Sequence, residues 1–132
     1  MSKTVVTRSE SGFQSTSAIR AFSLEIDPTG DDAPDTLESL LATYAACYIP
    51  ALRVTASRAD LEPLGAIEIS VEGALNEDDK LEAVSFEITT DASLDDEAAE
   101  TVITGANELC KVHDALRAGL HAETTLDGHT VG

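Results

Sequence analysis

Short stretches of strict alternation and two longer stretches of helical spacing divide the chain. Residues 3–8 (KTVVTR) read as a first strand, and Gly12 with Phe13 opens a second. Phe22, Leu24 and Ile26 alternate with Ser23, Glu25 and Asp27, the pattern of a half-buried strand. Asp27 to Pro34 (DPTGDDAP) is rich in turn formers and breaks the pattern. Asp35 or Thr36 can then cap a long helix, with Glu38 in a first turn where the helix dipole favours an anion. Leu37, Leu41, Tyr44, Tyr48 and Leu52 recur at three- and four-residue steps, and Leu40, Ala45, Ala51 and Ala56 fill a second face. A helix apolar over so much of its circumference is expected to be central and buried. Pro50 removes one of its backbone bonds, so a kink is expected near Ala46 and Cys47.

Alternation returns at Ile67, Ile69 and Val71, and again at Val84, Phe86 and Ile88. The polar connection LNEDDK between them predicts an antiparallel pair, each strand with one wet face. Ser93, with Asp96 three residues on, marks a second helix whose core face is Leu94, Ala98, Val102, Ala106 and Leu109. Residues 111–119 read as helical and 121–126 as a last short strand. The order, three strands, helix, two strands, one or two helices, strand, lacks regular βαβ alternation and predicts a single α+β domain over residues 1–132.

Charge changes the picture more than composition does. Hydrophobic content is ordinary at 42%, but 25 acidic residues face 8 basic ones and the net charge is −17. Nucleic acid and anionic membrane surfaces are excluded as expected partners, because both need clustered Lys and Arg. Acid excess with only Lys3, Lys80 and Lys111 resembles the surface of proteins from a salt-loaded cytoplasm. The N-terminal MSKTVVTRSESG has no apolar run and no segment approaches a membrane span, so a cytoplasmic protein is expected. In that compartment two cysteines are thiols by default, and a disulfide is more often catalytic than structural.

The candidate chemistry lies at Cys47, within the helical run LLATYAACY, and at Cys110, within NELCKVHDAL. On chemistry alone these are either inert core thiols or a redox pair. His113, three residues after Cys110, supplies half of a zinc pattern with no second half in the chain, and no metal is expected.

With those residues in view, the sequence resembles the OsmC/Ohr family of thiol-dependent peroxidases. The resemblance rests on the small-residue helix ending in Tyr-Ala-Ala-Cys-Tyr, on Glu-Leu-Cys-x-Val around Cys110, on the gap between the cysteines, and on the element order. It implies an OsmC-like fold, antiparallel sheets around a long central helix, in an intertwined homodimer. It implies that Cys47 attacks an organic hydroperoxide to form a sulfenic acid, that Cys110 resolves it as a disulfide, and that an external dithiol reduces the pair, with no metal or organic cofactor. A non-catalytic binding protein and a redox sensor using the same cysteines are the alternatives.

The family places an arginine from the N-terminal strand region beside the attacking thiol. Arg8 is the best match and Arg20 the runner-up among the arginines Arg8, Arg20, Arg53, Arg58 and Arg117. The family's orienting glutamate falls at Leu37 in the hydroperoxide branch pattern, so Glu38, the match to looser branches, takes that role. Where the family usually has proline after its second cysteine, this chain has Lys111. An unperturbed thiol titrates near ~8.5, and a mid-helix cysteine on an acidic chain is expected to need a contacting cation to ionise.

Overall fold

A computed structural model describes residues 1–131. The chain forms two compact units, Met1–Leu40 and Leu41 onward, with helix α1 (Thr36–Arg58) beginning in the first and continuing through the second.

In the first unit β1 (Val6–Arg8), β2 (Ser15–Ile19) and β3 (Phe22–Ile26) form an antiparallel sheet in sequence order. The second strand opens at Ser15, not at Gly12–Phe13. Gly12 has φ +67, a turn conformation that glycine adopts without a Cβ penalty, so it belongs to the approach to the strand. The sheet leaves Val6, Phe13, Phe22 and Leu24 exposed. The connection to α1 is organised by Asp27, whose carboxylate accepts from the N–H and hydroxyl of Thr29 and the N–H of Asp32.

In the second unit β4 (Ile67–Leu75), β5 (Leu81–Thr90), β6 (Glu123–Leu126) and β7 (His129–Val131) make one sheet in that order. The predicted β4–β5 pair is antiparallel, with Val71 opposite Phe86. The alternation puts Val84, Phe86 and Ile88 into the core and leaves Glu68, Ser70 and Glu72 exposed. β6 runs parallel to β5, which requires a crossover, and α2 (Asp96–Leu109) with α3 (Lys111–Ala115) provides it. The predicted last strand, 121–126, is β6, and a further strand, β7, follows it unpredicted. Asp127 and Gly128, both at positive φ, form a two-residue hairpin between β6 and β7. His129 of β7 donates to the carbonyl of Leu94 (2.7 Å) and pairs with Asp96, fastening the strand to the start of α2.

Two details of α2 differ from expectation. Its cap is Asp95, which accepts from the N–H of Ala98 (2.8 Å), rather than Ser93. Its buried face is Ala99, Val102, Ile103 and Ala106, rotated from the expected stripe, so that Leu109 is exposed. Val102 and Ala106 are common to both stripes, so the buried face is turned only part of the way from the expected one.

Helix α1 is also less enclosed than its sequence suggests. It runs unbroken through Pro50, but its buried residues, Tyr44, Tyr48, Ala51, Leu52, Thr55 and Ala56, form one stripe. Ala46, Pro50 and Val54 stay exposed on another face of the single chain. Alanine-rich turns count as apolar in a pattern whether or not a single chain covers them.

Gly105 sets the approach of α2 to α1. A Cβ there would stand 2.3 Å from Cγ2 and 2.7 Å from Oγ1 of Thr55, whose buried hydroxyl has no hydrogen-bond partner among the described residues. Gly105→Ala should therefore destabilise by about 1–3 kcal/mol through overpacking, exceeding the ~1 kcal/mol helix gain of alanine over glycine. Adding Thr55→Ala should restore most of the loss. Urea unfolding in concentrated KCl measures both; a Gly105→Ala variant at least as stable as the parent contradicts the close approach.

Candidate active site

Cys47 and Cys110 meet because α1 and the α2–α3 junction pack on the same sheet. Tyr44 and Tyr48, flanking Cys47 on α1, are both fully buried against Phe86, with ring centroids 4.6 and 5.1 Å away. That anchoring fixes the rotation of the helix about its axis and so the direction of Cys47. The Tyr48 hydroxyl donates to Oδ1 of Asn107 in α2 (2.7 Å). Cys110 is the last cap of α2 and the first cap of α3, with extended backbone at φ −72, ψ 112. Its sulfur accepts from the N–H of His113 (3.4 Å).

The two sulfurs are free thiols that neighbour each other in unequal surroundings. Cys110 is 1% exposed, whereas Cys47 is half-buried. For Cys110, burial pushes the thiol above its ordinary range; the N–H of His113 opposes this, and neighbouring Cys47 adds to it. For Cys47 burial also acts upward, but is outweighed by the N–H of Val112, the Cys110 thiol, and the N–H and charge of Lys111, so its pKa is lowered. Of the two thiols, Cys47 is thus the one more readily ionised.

Cys47 opens on a cleft of about 440 Å³, walled by Pro50, Ala51, Val54 and Leu109 and carrying two cations, Lys111 and Arg58. That volume suits a small organic molecule. Cys47 is mid-helix in α1, but the first turn of α3 brings two amides to it. The charge that reaches it within this unit is a lysine. Sequence reasoning passed over Lys111 as a mere departure from proline; its adjacency to Cys110 was the available signal.

Arg8 and Glu38 belong to the first unit. Arg8 is exposed and its Nε donates to Glu10 (2.7 Å), which raises its pKa. Glu38 forms a capping box with Asp35: its Oε1 accepts from the N–H of Asp35 (2.9 Å), and its own N–H donates to Asp35 (2.7 Å). Arg20 sits in the β2–β3 turn at φ 55, its guanidinium 5.1 Å from the centre of the Phe22 ring. Arg53 and Arg117 donate to the carbonyls of Gly65 and Leu81.

His113 has a partner that the sequence did not indicate. The Tyr44 hydroxyl accepts the N–H of Ala122 (3.0 Å) and donates to Nδ1 of His113 (2.6 Å). The imidazole stacks on that of His121, with centroids 3.7 Å apart. Burial, then the neighbouring His121, lowers the pKa of His113 and keeps it neutral, as an acceptor at Nδ1 must be.

The sequence profile of the family described as OsmC-like protein matches residues 29–125, most of the chain and both cysteines. The chain belongs to the OsmC-like family. An uncharacterized protein of Haloferax volcanii is 38% identical over 122 residues, 92% of each chain, and its halophilic source agrees with the salt-adapted composition read above. Among solved structures, an osmotic stress induced and detoxification response protein from Psychrobacter arcticus superposes with TM-score 0.79 at 13% identity, covering 96% of both chains. The organic hydroperoxide resistance protein OhrB of Bacillus subtilis superposes with TM-score 0.70 at 24% identity, covering 96% of this chain and 98% of its own. At these identities the likeness establishes the fold, α+β and OsmC-like, as the element order predicted. Among the described residues no helix is long and apolar enough to cross a membrane.

Proposed function

We propose that this protein is a thiol-dependent peroxidase that reduces organic hydroperoxides in the cytoplasm as a homodimer. The observation that carries this reading is the asymmetry of the neighbouring cysteines: the accessible thiol, Cys47, is the one lowered, and the buried thiol, Cys110, is the one pushed up by burial. The Cys47 thiolate attacks the terminal oxygen of the hydroperoxide. The O–O bond breaks, the alkoxide leaves and is protonated to the alcohol, and Cys47 becomes a sulfenic acid. Cys110 then attacks that sulfur, water leaves, and the Cys47–Cys110 disulfide forms. An external dithiol reduces it by exchange, which closes the cycle without metal or organic cofactor.

The apolar walls of the cleft favour a substrate with an organic group over hydrogen peroxide. The exposed Val6, Phe13, Phe22 and Leu24 and the open face of α1 favour a homodimer, since surfaces of this kind mark association sites. Arg8 and Glu38 enter as the helper pair on the family pattern, with Arg8 reaching a thiolate of its own or a second copy. Stoichiometric oxidation tests the reading. In concentrated KCl, one equivalent of cumene hydroperoxide should consume both thiols and give one intramolecular disulfide, and a dithiol should sustain turnover. Disulfide formation over hours without turnover would instead favour a redox sensor, and intact thiols a silent binding protein.

A further inference from the structure

Lys111 occupies an unusual position, the first residue of α3, directly after the buried cysteine and on the wall of the cleft into which Cys47 opens. The first amides of any helix lack an intrahelical acceptor. In α3 the amides of His113 and Asp114 go to the sulfur and the carbonyl of Cys110. The amides of Lys111 and Val112 are left; both act to lower the Cys47 thiol, and that of Val112 is shared with Cys110. A proline at 111 would fit the first helical position but would bring no N–H and no charge. Lysine brings both.

The electrostatic setting makes this matter. The chain carries a net charge of −17, so the background field opposes a thiolate. The other cation lining the cleft, Arg58, is eleven residues along α1 from Cys47, about 16 Å in axial rise. Lys111 is the cation at hand.

We propose that Lys111 is the cation partner that the second unit itself supplies to the Cys47 thiolate, in addition to Arg8, acting through its backbone N–H and its ammonium group together. The proposal rests on Cys47 being the attacking thiol, and gives the acidic chain a source of activation built into the second cysteine's own flank. The two contributions differ in their response to salt. The ammonium charge is screened as KCl rises, whereas a contact hydrogen bond is not.

Three substitutions separate the contributions. Lys111→Arg keeps both, Lys111→Gln keeps the N–H and removes the charge, and Lys111→Pro removes both. The readout is the pH dependence of iodoacetamide alkylation, resolved for Cys47 and Cys110 by peptide mass spectrometry, with circular dichroism confirming the fold. In 0.5 M KCl at pH 7, Lys111→Gln should alkylate at Cys47 about threefold more slowly and Lys111→Pro about tenfold, given a tenfold change in thiolate per pH unit of midpoint. Lys111→Arg should match the parent. In 3 M KCl the glutamine variant should approach the parent while the proline variant stays slow. A Lys111→Gln profile that superimposes on the parent in 0.5 M KCl overturns the proposal, whatever happens to the proline variant. The assay needs no peroxide, so the two readings fail separately. Lys111-dependent alkylation without peroxide turnover sinks the peroxidase and supports this proposal; Cys47-dependent turnover with an unchanged glutamine profile does the reverse.

Discussion

Cys47→Ser should abolish peroxide turnover, a loss of at least about three orders of magnitude, because a serine hydroxyl is not ionised near neutrality and no other accessible thiol replaces it. Cys110 cannot take over: it is 1% exposed and its thiol is held up by burial. Cys110→Ser should behave differently. Serine is a good helix cap and can still accept from the N–H of His113, so α3 should keep its start. Cys47 should then still be oxidised once by cumene hydroperoxide, but should stop at the sulfenic acid, which dimedone traps. The same asymmetry predicts a pH order. Sulfenic acid formation needs the Cys47 thiolate and should reach its plateau at lower pH than disulfide formation, which needs the Cys110 thiolate. Oxidation of Cys47 to a neutral sulfenic acid removes its share of the upward pressure on Cys110, leaving burial. Stopped-flow measurement of the two steps against pH checks this; full turnover in Cys47→Ser would end the peroxidase reading.

Where patterning carries a strong period, the sequence was legible. The β4–β5 pair follows directly from alternation, and its register puts Phe86 against the tyrosines that aim Cys47. The family resemblance located both cysteines, but only tertiary structure makes them unequal. Neither the 1% exposure of Cys110 nor the two α3 amides at Cys47 is a local property of the chain. Asp127–Gly128 was a readable hairpin signal, and passing over it left β7 unpredicted. The cap of α2 at Asp95 lay among several candidate caps in DASLDD, and propensity does not rank them well enough to set a helix start. The Tyr44–His113–His121–Ala122 network joins residues up to 78 apart and leaves no trace in spacing.

The melting temperature should rise by about 10–20 °C between 0.2 M and 3 M KCl, from relief of a few kcal/mol of self-repulsion. One surface of the second unit shows where that repulsion arises. Glu68 and Glu72 on β4, Glu87 on β5 and Glu123 on β6 are all exposed, and none of these strands contains Lys or Arg. Glu87 is opposite Ser70, so Glu68 and Glu72 are its diagonal neighbours at about 7–8 Å, within a Debye length in dilute salt and beyond one at ~1 M. Among the described residues, Arg8–Glu10 and His129–Asp96 are the ion pairs, and neither involves this face. A general salting effect on apolar burial would also raise stability, so the decisive comparison is a charge variant. Glu87→Lys should melt higher than the parent in 0.2 M KCl and close to it in 3 M, because the new charge meets two carboxylates only while they are unscreened. A parent with no salt dependence, or a variant shifted equally at both concentrations, would show that the acidic surface does not control stability.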